Sequence, residues 1–263
     1  MPQPTKKITP FKPRAFPPRL QRGKKILSLL QKAKHALQNC SKILQQTPLP
    51  EPMLHSLLIT EAIHSLELQK KRIKEDSKAE ICDYLEALRY VASHSASRSP
   101  LTKKKICNIH KIVKQHSAQK IDLGRYRNRQ NWIGPEGCTI DQAYFYPPAA
   151  KELEQLMKEF LNYANRKTKE PLLQLALLFA QLLIIHPFMD GNGRVARLMV
   201  PLFLYQKKFL PTPFFLLSSY LKKNKLKYFQ TLYKTTNEGI WEDWIVFFLK
   251  GIIQSVKKIR DCP

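Results

Sequence analysis

An all-α fold, a bundle of helices, is what this sequence predicts, and three observations carry it. Glycine is scarce, at eight of 263 residues. Strand-like alternation of apolar and polar residues is rare. Apolar residues recur instead at helical spacing through nine segments: 26–44, 53–74, 78–92, 103–116, 149–166, 171–185, 192–208, 218–236 and 241–257. A chain of this length fits one medium domain, or a core with a helical extension, and can bury a sizeable core.

Residues 1–25 precede the first helix with eight Lys or Arg, six Pro and no acid. They lack an apolar stretch of the secretory kind and read as a flexible basic lead-in. The segment from Leu172 to Ile185 is apolar almost all round. It is too short to span a membrane and carries Gln174 and Gln181, so it reads as a buried central helix. That placement sets His186 at the helix's C-terminal end. Cysteines 40, 82, 107, 138 and 262 are scattered, odd in number and without metal-ligand spacing. Free thiols in a reducing compartment, and a cytoplasmic location, are the expectation; delivery out of the cell by a non-classical route stays open.

The chemistry is concentrated in His186-Pro187-Phe188-Met189-Asp190-Gly191-Asn192-Gly193-Arg194-Val195-Ala196-Arg197. An imidazole titrates near neutrality and can act as a base. Asp190 is a hard oxygen ligand of the type Mg²⁺ takes together with phosphate oxygens. Gly191 and Gly193 admit backbone angles that turn successive N–H groups into one concavity, and Asn192 between them tolerates the same region. The apolar run Val195, Ala196, Leu198, Met199 has the turn opening a helix, whose unpaired N–H groups and partial positive charge favour anions. Arg194 and Arg197 are neighbours on that helix, and guanidinium forks match phosphate oxygens. Taken singly, these are an ordinary tight turn, a satisfied core histidine and a solvated arginine face. Base, acid, turn and arginine pair within twelve residues together suit a site for a nucleotide's phosphates and metal.

These residues resemble the signature of the Fic family, H-P-F-x-[DE]-G-N-G-R-x-x-R, at every fixed position. Gly124-Arg125-Tyr126-Arg127 and Gln130-Asn131-Trp132-Ile133-Gly134 resemble the segment leading into the family's β-hairpin flap, and Tyr144-Phe145-Tyr146-Pro147-Pro148 its exit. Leu216 to Tyr228 resembles the helix bordering the nucleotide base. Trp241-Glu242-Asp243-Trp244 with Phe247 and Phe248 resembles the closing helix, and Phe16-Pro17-Pro18 and Glu61-Ala62-Ile63 an N-terminal helical extension. The resemblance covers about residues 15 to 250 and implies a Fic fold: a lead-in over 1–25, a helical extension over 26–98 and a catalytic core over 99–257.

The resemblance further implies a protein adenylyltransferase. His186 would take the proton from a target Ser, Thr or Tyr hydroxyl, and Asp190 would bind Mg²⁺. Gly191, Asn192 and Gly193 would hold the α- and β-phosphates of ATP; Arg194 and Arg197 would meet the β- and γ-phosphates. Asn224 and Tyr228 would lie near the base. The flap, Asn131, Trp132, Ile133, Gly134 through Phe145, would add a strand to an extended target segment. An intact Gly-Asn-Gly turn favours nucleotidyl transfer over the phosphorylation run by members with a substituted turn. UMP, GMP or phosphocholine donors remain alternatives.

Regulation is the sharpest implication. The family's inhibitory helix carries [ST]-x-x-x-E-[GN], whose glutamate pairs with the second signature arginine. Laid on this chain without gaps, the pattern puts Ser65 on its serine, Gln69 on its glutamate and Lys70 on its small residue. An amide replaces a carboxylate, so weak autoinhibition and poor removal of AMP are expected. A competing alignment through Glu67 needs a gap inside a helix.

The net charge of +25 keeps a rival class open, a basic nucleic-acid or partner-binding protein whose site holds nucleotide without turnover. The lysines are spread along the whole chain, and no zinc motif or aromatic-basic interleaving accompanies them, so nucleic acid is not expected. The charge can still select an acidic target protein, through faster encounter. No transmembrane segment is expected, and a homodimer stays open.

Overall fold

A computed structural model describes residues 9–69, 77–95, 99–116, 122–135 and 137–260. The predicted all-α class is borne out: among the described residues ten α-helices stand with no strand ladder. Helix α6 (Pro171–Ile185) is the centre. Proline starts it, where the missing N–H costs nothing, and every residue from Leu172 to Ile185 except Leu183 is buried. Of its two buried glutamines, Gln174 is satisfied on its donor side, while its Oε1 has no partner among the described residues. Gln174 Nε2 donates to the carbonyls of Tyr163 (2.6 Å) and Arg166 (3.0 Å), closing the end of α5 (Leu153–Asn165).

Around α6 pack α5, α7 (Asn192–Gln206), α1 (Lys24–Gln46) and α10 (Glu242–Arg260). Helix α1 buries Ile26, Leu30, Ala33, Leu37 and Cys40, one stripe at helical spacing, chiefly against α10. Trp244 of α10 is fully buried and gives its indole N–H to Ala176 O at 2.7 Å, so its bulk meets α6 without an orphaned donor. Helices α2 (Glu51–Glu67), α3 (Ser77–Ser95) and α4 (Lys103–Val113) cover the signature side of α7. Thr102 caps α4 by accepting from the Lys105 N–H at 3.2 Å.

Four expectations differ from what forms. The segment 218–236 is two helices, α8 (Ser218–Lys223) and α9 (Lys225–Asn237), because Asn224 takes a non-helical backbone (φ −113°, ψ 31°) that ends one and begins the other. Helix α4 stops at Val113 instead of 116, since Lys114 also leaves the helical region. The expected flap hairpin is one isolated antiparallel bridge, Ile133 to Phe145; between them Ile140–Gln142 coil into a 3-10 turn. Pro135, which lacks an N–H, directly follows Gly134 and denies a ladder its next donor. Residues 9–23 carry no helix but are docked: the Phe11 N–H donates to Tyr146 O (2.8 Å), and Phe16 packs edge-on to Tyr163. Lys70, Cys262 and the end of the segment 53–74 lie outside the described residues. The other four cysteines are free. No helix among the described residues is long and apolar enough to cross a membrane.

Candidate active site

Two helix ends meet to make the site. The C-terminus of α6 delivers His186, and the N-terminus of α7 begins six residues later. His186 caps α6 in the left-handed region (φ 51°, ψ 59°), a conformation an L-residue holds only when its surroundings enforce it. The enforcement is visible. Its N–H donates to Leu182 O (2.9 Å), and its carbonyl accepts from Arg127 Nε (2.9 Å). Arg127 is itself buried and also donates to Arg129 O (3.1 Å) and Pro148 O (2.5 Å), tying both ends of the flap to the histidine loop.

The imidazole's tautomer follows from its partner. Nδ1 lies 3.1 Å from Leu183 O, and a carbonyl only accepts, so Nδ1 carries the hydrogen and Nε2 the lone pair. Burial lowers the His186 pKa to about 4, with the nearby Arg127 charge pulling the same way, so the ring is neutral at physiological pH. A neutral imidazole with a free Nε2 is a competent base.

The loop after His186 is pinned by amides. Asn192 accepts the Phe188 N–H at Oδ1 (2.9 Å) and donates through Nδ2 to Phe188 O (2.8 Å); Asn131 Nδ2 donates to the same carbonyl (2.9 Å). The Asn192 side chain is thereby spent on the loop, leaving its backbone N–H for a ligand. Phe188 is fully buried and stacks on His110 at 3.8 Å. His110 Nδ1 accepts from the Gly124 N–H (3.0 Å), so Nε2–H donates to Asp190 O (3.1 Å); burial lowers this ring too, to about 4. Gly191 caps α7 with φ 81°, and a Cβ there would meet the Lys114 side chain at 3.2 Å.

Asp190 faces two cations. Lys114 Nζ is 2.5 Å from Oδ2 and Arg194 Nη2 is 3.5 Å away. Burial alone would raise its pKa, but these charges outweigh it and hold the carboxyl well below the usual range. Arg194, 2% exposed, reaches further to Glu80 (3.2 Å) and Val113 O (3.3 Å). Arg197 is equally buried and turns to α2: Nε donates to Ser65 Oγ (2.7 Å) and Nη2 to Ser65 O (2.9 Å). A methyl group on Gly193 would come 2.9 Å from Arg197 Nη1 and 3.0 Å from Gln69 Nε2, so Ser65, Gln69, Gly193 and Arg197 share one corner. Glu67 lies apart, paired with Lys222 of α8 at 2.5 Å.

The remaining expected residues divide. Asn224 sits at the α8–α9 junction with its amide on Tyr220 O (2.9 Å). Tyr228 is buried against Trp244 and Phe247, its hydroxyl pKa pushed up to about 12 by burial and pulled back by the nearby Arg197 charge. Trp132 stays 40% exposed while its indole N–H donates to Cys138 O (3.2 Å); Ile133 and Phe145 form the bridge at the base of the flap, and Gly134 follows it. His110, Lys114 and Glu80 were absent from the expected site. His110 and Lys114 share a helix face by their spacing of four, but spacing does not say what that face meets.

Residues 100–204 match the Fic/DOC family model. The protein adenylyltransferase Fic of Nematostella vectensis is 36% identical over 130 residues, 48% of this chain and 28% of the relative. That of Drosophila melanogaster is 30% identical over 156 residues, 58% of this chain and 28% of the relative. The chain thus spans well under half the length of these curated relatives. Among solved structures, a Fic family protein from Desulfovibrio desulfuricans G20 superposes with a TM-score of 0.75 at 17% identity, covering 92% of this chain and 76% of that one. Fic-1 from C. elegans gives 0.66 at 17% identity, covering 89% and 73%. At such identities the likeness is one of fold.

Proposed function

We propose that the chain, whose residues 100–204 match the Fic/DOC family model, transfers AMP from ATP to a hydroxyl side chain of a target protein. The observation that carries this reading is His186: a neutral imidazole, its tautomer fixed by Leu183 O, close to the N-terminus of α7. The target oxygen attacks the α-phosphorus and its proton passes to His186 Nε2. The bond from that phosphorus to the α–β bridging oxygen breaks, and pyrophosphate leaves. The backbone N–H groups of Asn192 and Gly193 receive phosphate oxygens at the head of α7.

Asp190 fits a magnesium site of the kind nucleotides complete. It is a single hard carboxylate, half exposed, and no cluster of three or more His, Cys, Asp or Glu accompanies it among the described residues. One carboxylate plus nucleotide phosphates is an ordinary Mg²⁺ sphere. When bound, the ion neutralises charge developing on the leaving pyrophosphate. Arg197 is the residue for the terminal phosphates, and Gln69 beside it takes the place of an inhibitory carboxylate. Only a neutral amide opposes phosphate there, so restraint of the transferase is weak.

The deciding experiment supplies ATP labelled at the α- or the γ-phosphorus to the protein alone and in cell lysate. Label from the α position only, lost in a His186 variant, supports adenylylation. Label from the γ position, or none from either, would overturn it.

A further inference from the structure

Lys114 lies just past α4, and its ammonium stands 2.5 Å from Asp190 Oδ2. The side chain is 6% exposed, and its methylenes press on Gly191, the residue that opens α7. A buried lysine needs a counter-ion, and Asp190 supplies it. The choice of partner is the unusual point, because Asp190 is the carboxylate at the head of α7, where a divalent ion beside phosphates would be held. Its Oδ2 also has Arg194 Nη2 at 3.5 Å. Lys114 and Arg194 thus set two cations on Asp190, and Arg194 also meets Glu80. A divalent ion brought to Asp190 meets the repulsion of both cations until phosphate arrives.

We propose that Lys114 is a protein-supplied cation of the phosphate site, sharing Asp190 with the divalent ion and doing part of its work on the nucleotide. The inference rests on the nucleotide-binding reading above. An ammonium is a compact point charge without a required coordination geometry, so it can turn from Asp190 Oδ2 to a phosphate oxygen arriving at the head of α7. The same ammonium repels a metal ion from Asp190 while no nucleotide is present. Two consequences follow for this chain: nucleotide binding tolerates removal of divalent metal, and metal binding in the absence of nucleotide is weak.

The test uses the full chain with α,β-methylene-ATP as nucleotide probe and Mn²⁺ as metal probe. Calorimetry reads nucleotide affinity in Mg²⁺ and in EDTA, and electron paramagnetic resonance reads free Mn²⁺ without nucleotide. Wild type should change Kd less than about threefold between the two buffers. Lys114→Met should weaken binding by about tenfold or more in EDTA, recover it in Mg²⁺, and bind Mn²⁺ about tenfold more tightly. Lys114→Arg, which keeps the charge, should follow wild type in EDTA. Equal EDTA affinities for wild type and Lys114→Met, or equal Mn²⁺ affinities, overturn the proposal. If Lys114→Met does not fold, wild type alone decides: a loss of about tenfold or more on adding EDTA sinks it. Failure of wild type to bind the nucleotide in either buffer would count against the transferase reading itself, whereas the Mn²⁺ comparison reports on Lys114 alone.

Discussion

At the scale of single residues, His186 sets the sharpest requirement. Its left-handed backbone is tolerated by asparagine better than by alanine. His186→Asn should therefore melt close to wild type and still bind nucleotide, while losing about a hundredfold or more of label transfer. His186→Ala adds backbone strain to the loss of the base, so a lower melting temperature should accompany its inactivity. An Asn variant that kept transferring label would remove His186 from the chemistry. Gln69→Glu tests the corner shared with Arg197. A carboxylate there should capture the guanidinium and slow initial label incorporation about tenfold, worth ~1.4 kcal/mol; an unchanged rate ends the idea of weakened restraint. The signature residues were legible in the sequence because chemistry packed into twelve positions leaves few other uses. Lys114 was not, since a lysine is unremarkable in a chain with 45 Lys and Arg until its partner is seen.

At the scale of elements, a buried contact joins the helix carrying Ser65 to the helix pair beyond the signature, besides the Glu67–Lys222 ion pair. Glu61 of α2, 3% exposed, accepts from the Ser218 N–H (3.0 Å) and hydroxyl (2.5 Å) at the start of α8. Burial raises its pKa from about 4.5 to about 7, although the Ser218 hydrogen bonds oppose the shift. A carboxyl raised in the fold contributes stability that is full below pH 4.5 and fades as pH climbs through 7. His110 and His186 run the other way. Lowered from 6.5 to about 4, they contribute stability that is full above 6.5 and is lost as pH falls toward 4. Between pH 7 and 5 the effects oppose, so Glu61→Gln should steepen the acid loss of denaturant-measured stability by about 2 kcal/mol. Parallel pH curves for variant and wild type would show that Glu61 titrates as an ordinary carboxyl. Helix existence was readable from periodicity in all nine segments. The break at Asn224 was not, because Leu221, Tyr228 and Thr231 keep a buried face at helical spacing across it and only backbone angles mark the joint. The flanks of the flap predict a hairpin, whereas its interior, with Pro135 and the turn at Ile140–Gln142, settles for a single bridge.

At the scale of the whole molecule, a net charge of +25 acts on encounter more than on the bound state. Modification of an acidic target should slow several-fold between about 50 and 300 mM salt, at unchanged nucleotide affinity. A rate indifferent to salt would leave the lysines without a part in target choice. The order of the helices has its own effect on how the molecule is made. The surface that α1 packs on is chiefly α10, at the opposite end of the chain. During synthesis at ~5–20 residues per second, Ile26, Leu30, Ala33, Leu37 and Cys40 wait roughly 10–40 s for that surface. For that interval the first helix has a greasy side and lacks its chief native neighbour, although α6, which it also touches, is made earlier, and this makes the newborn chain a customer for whatever chaperone stands at the ribosome's exit.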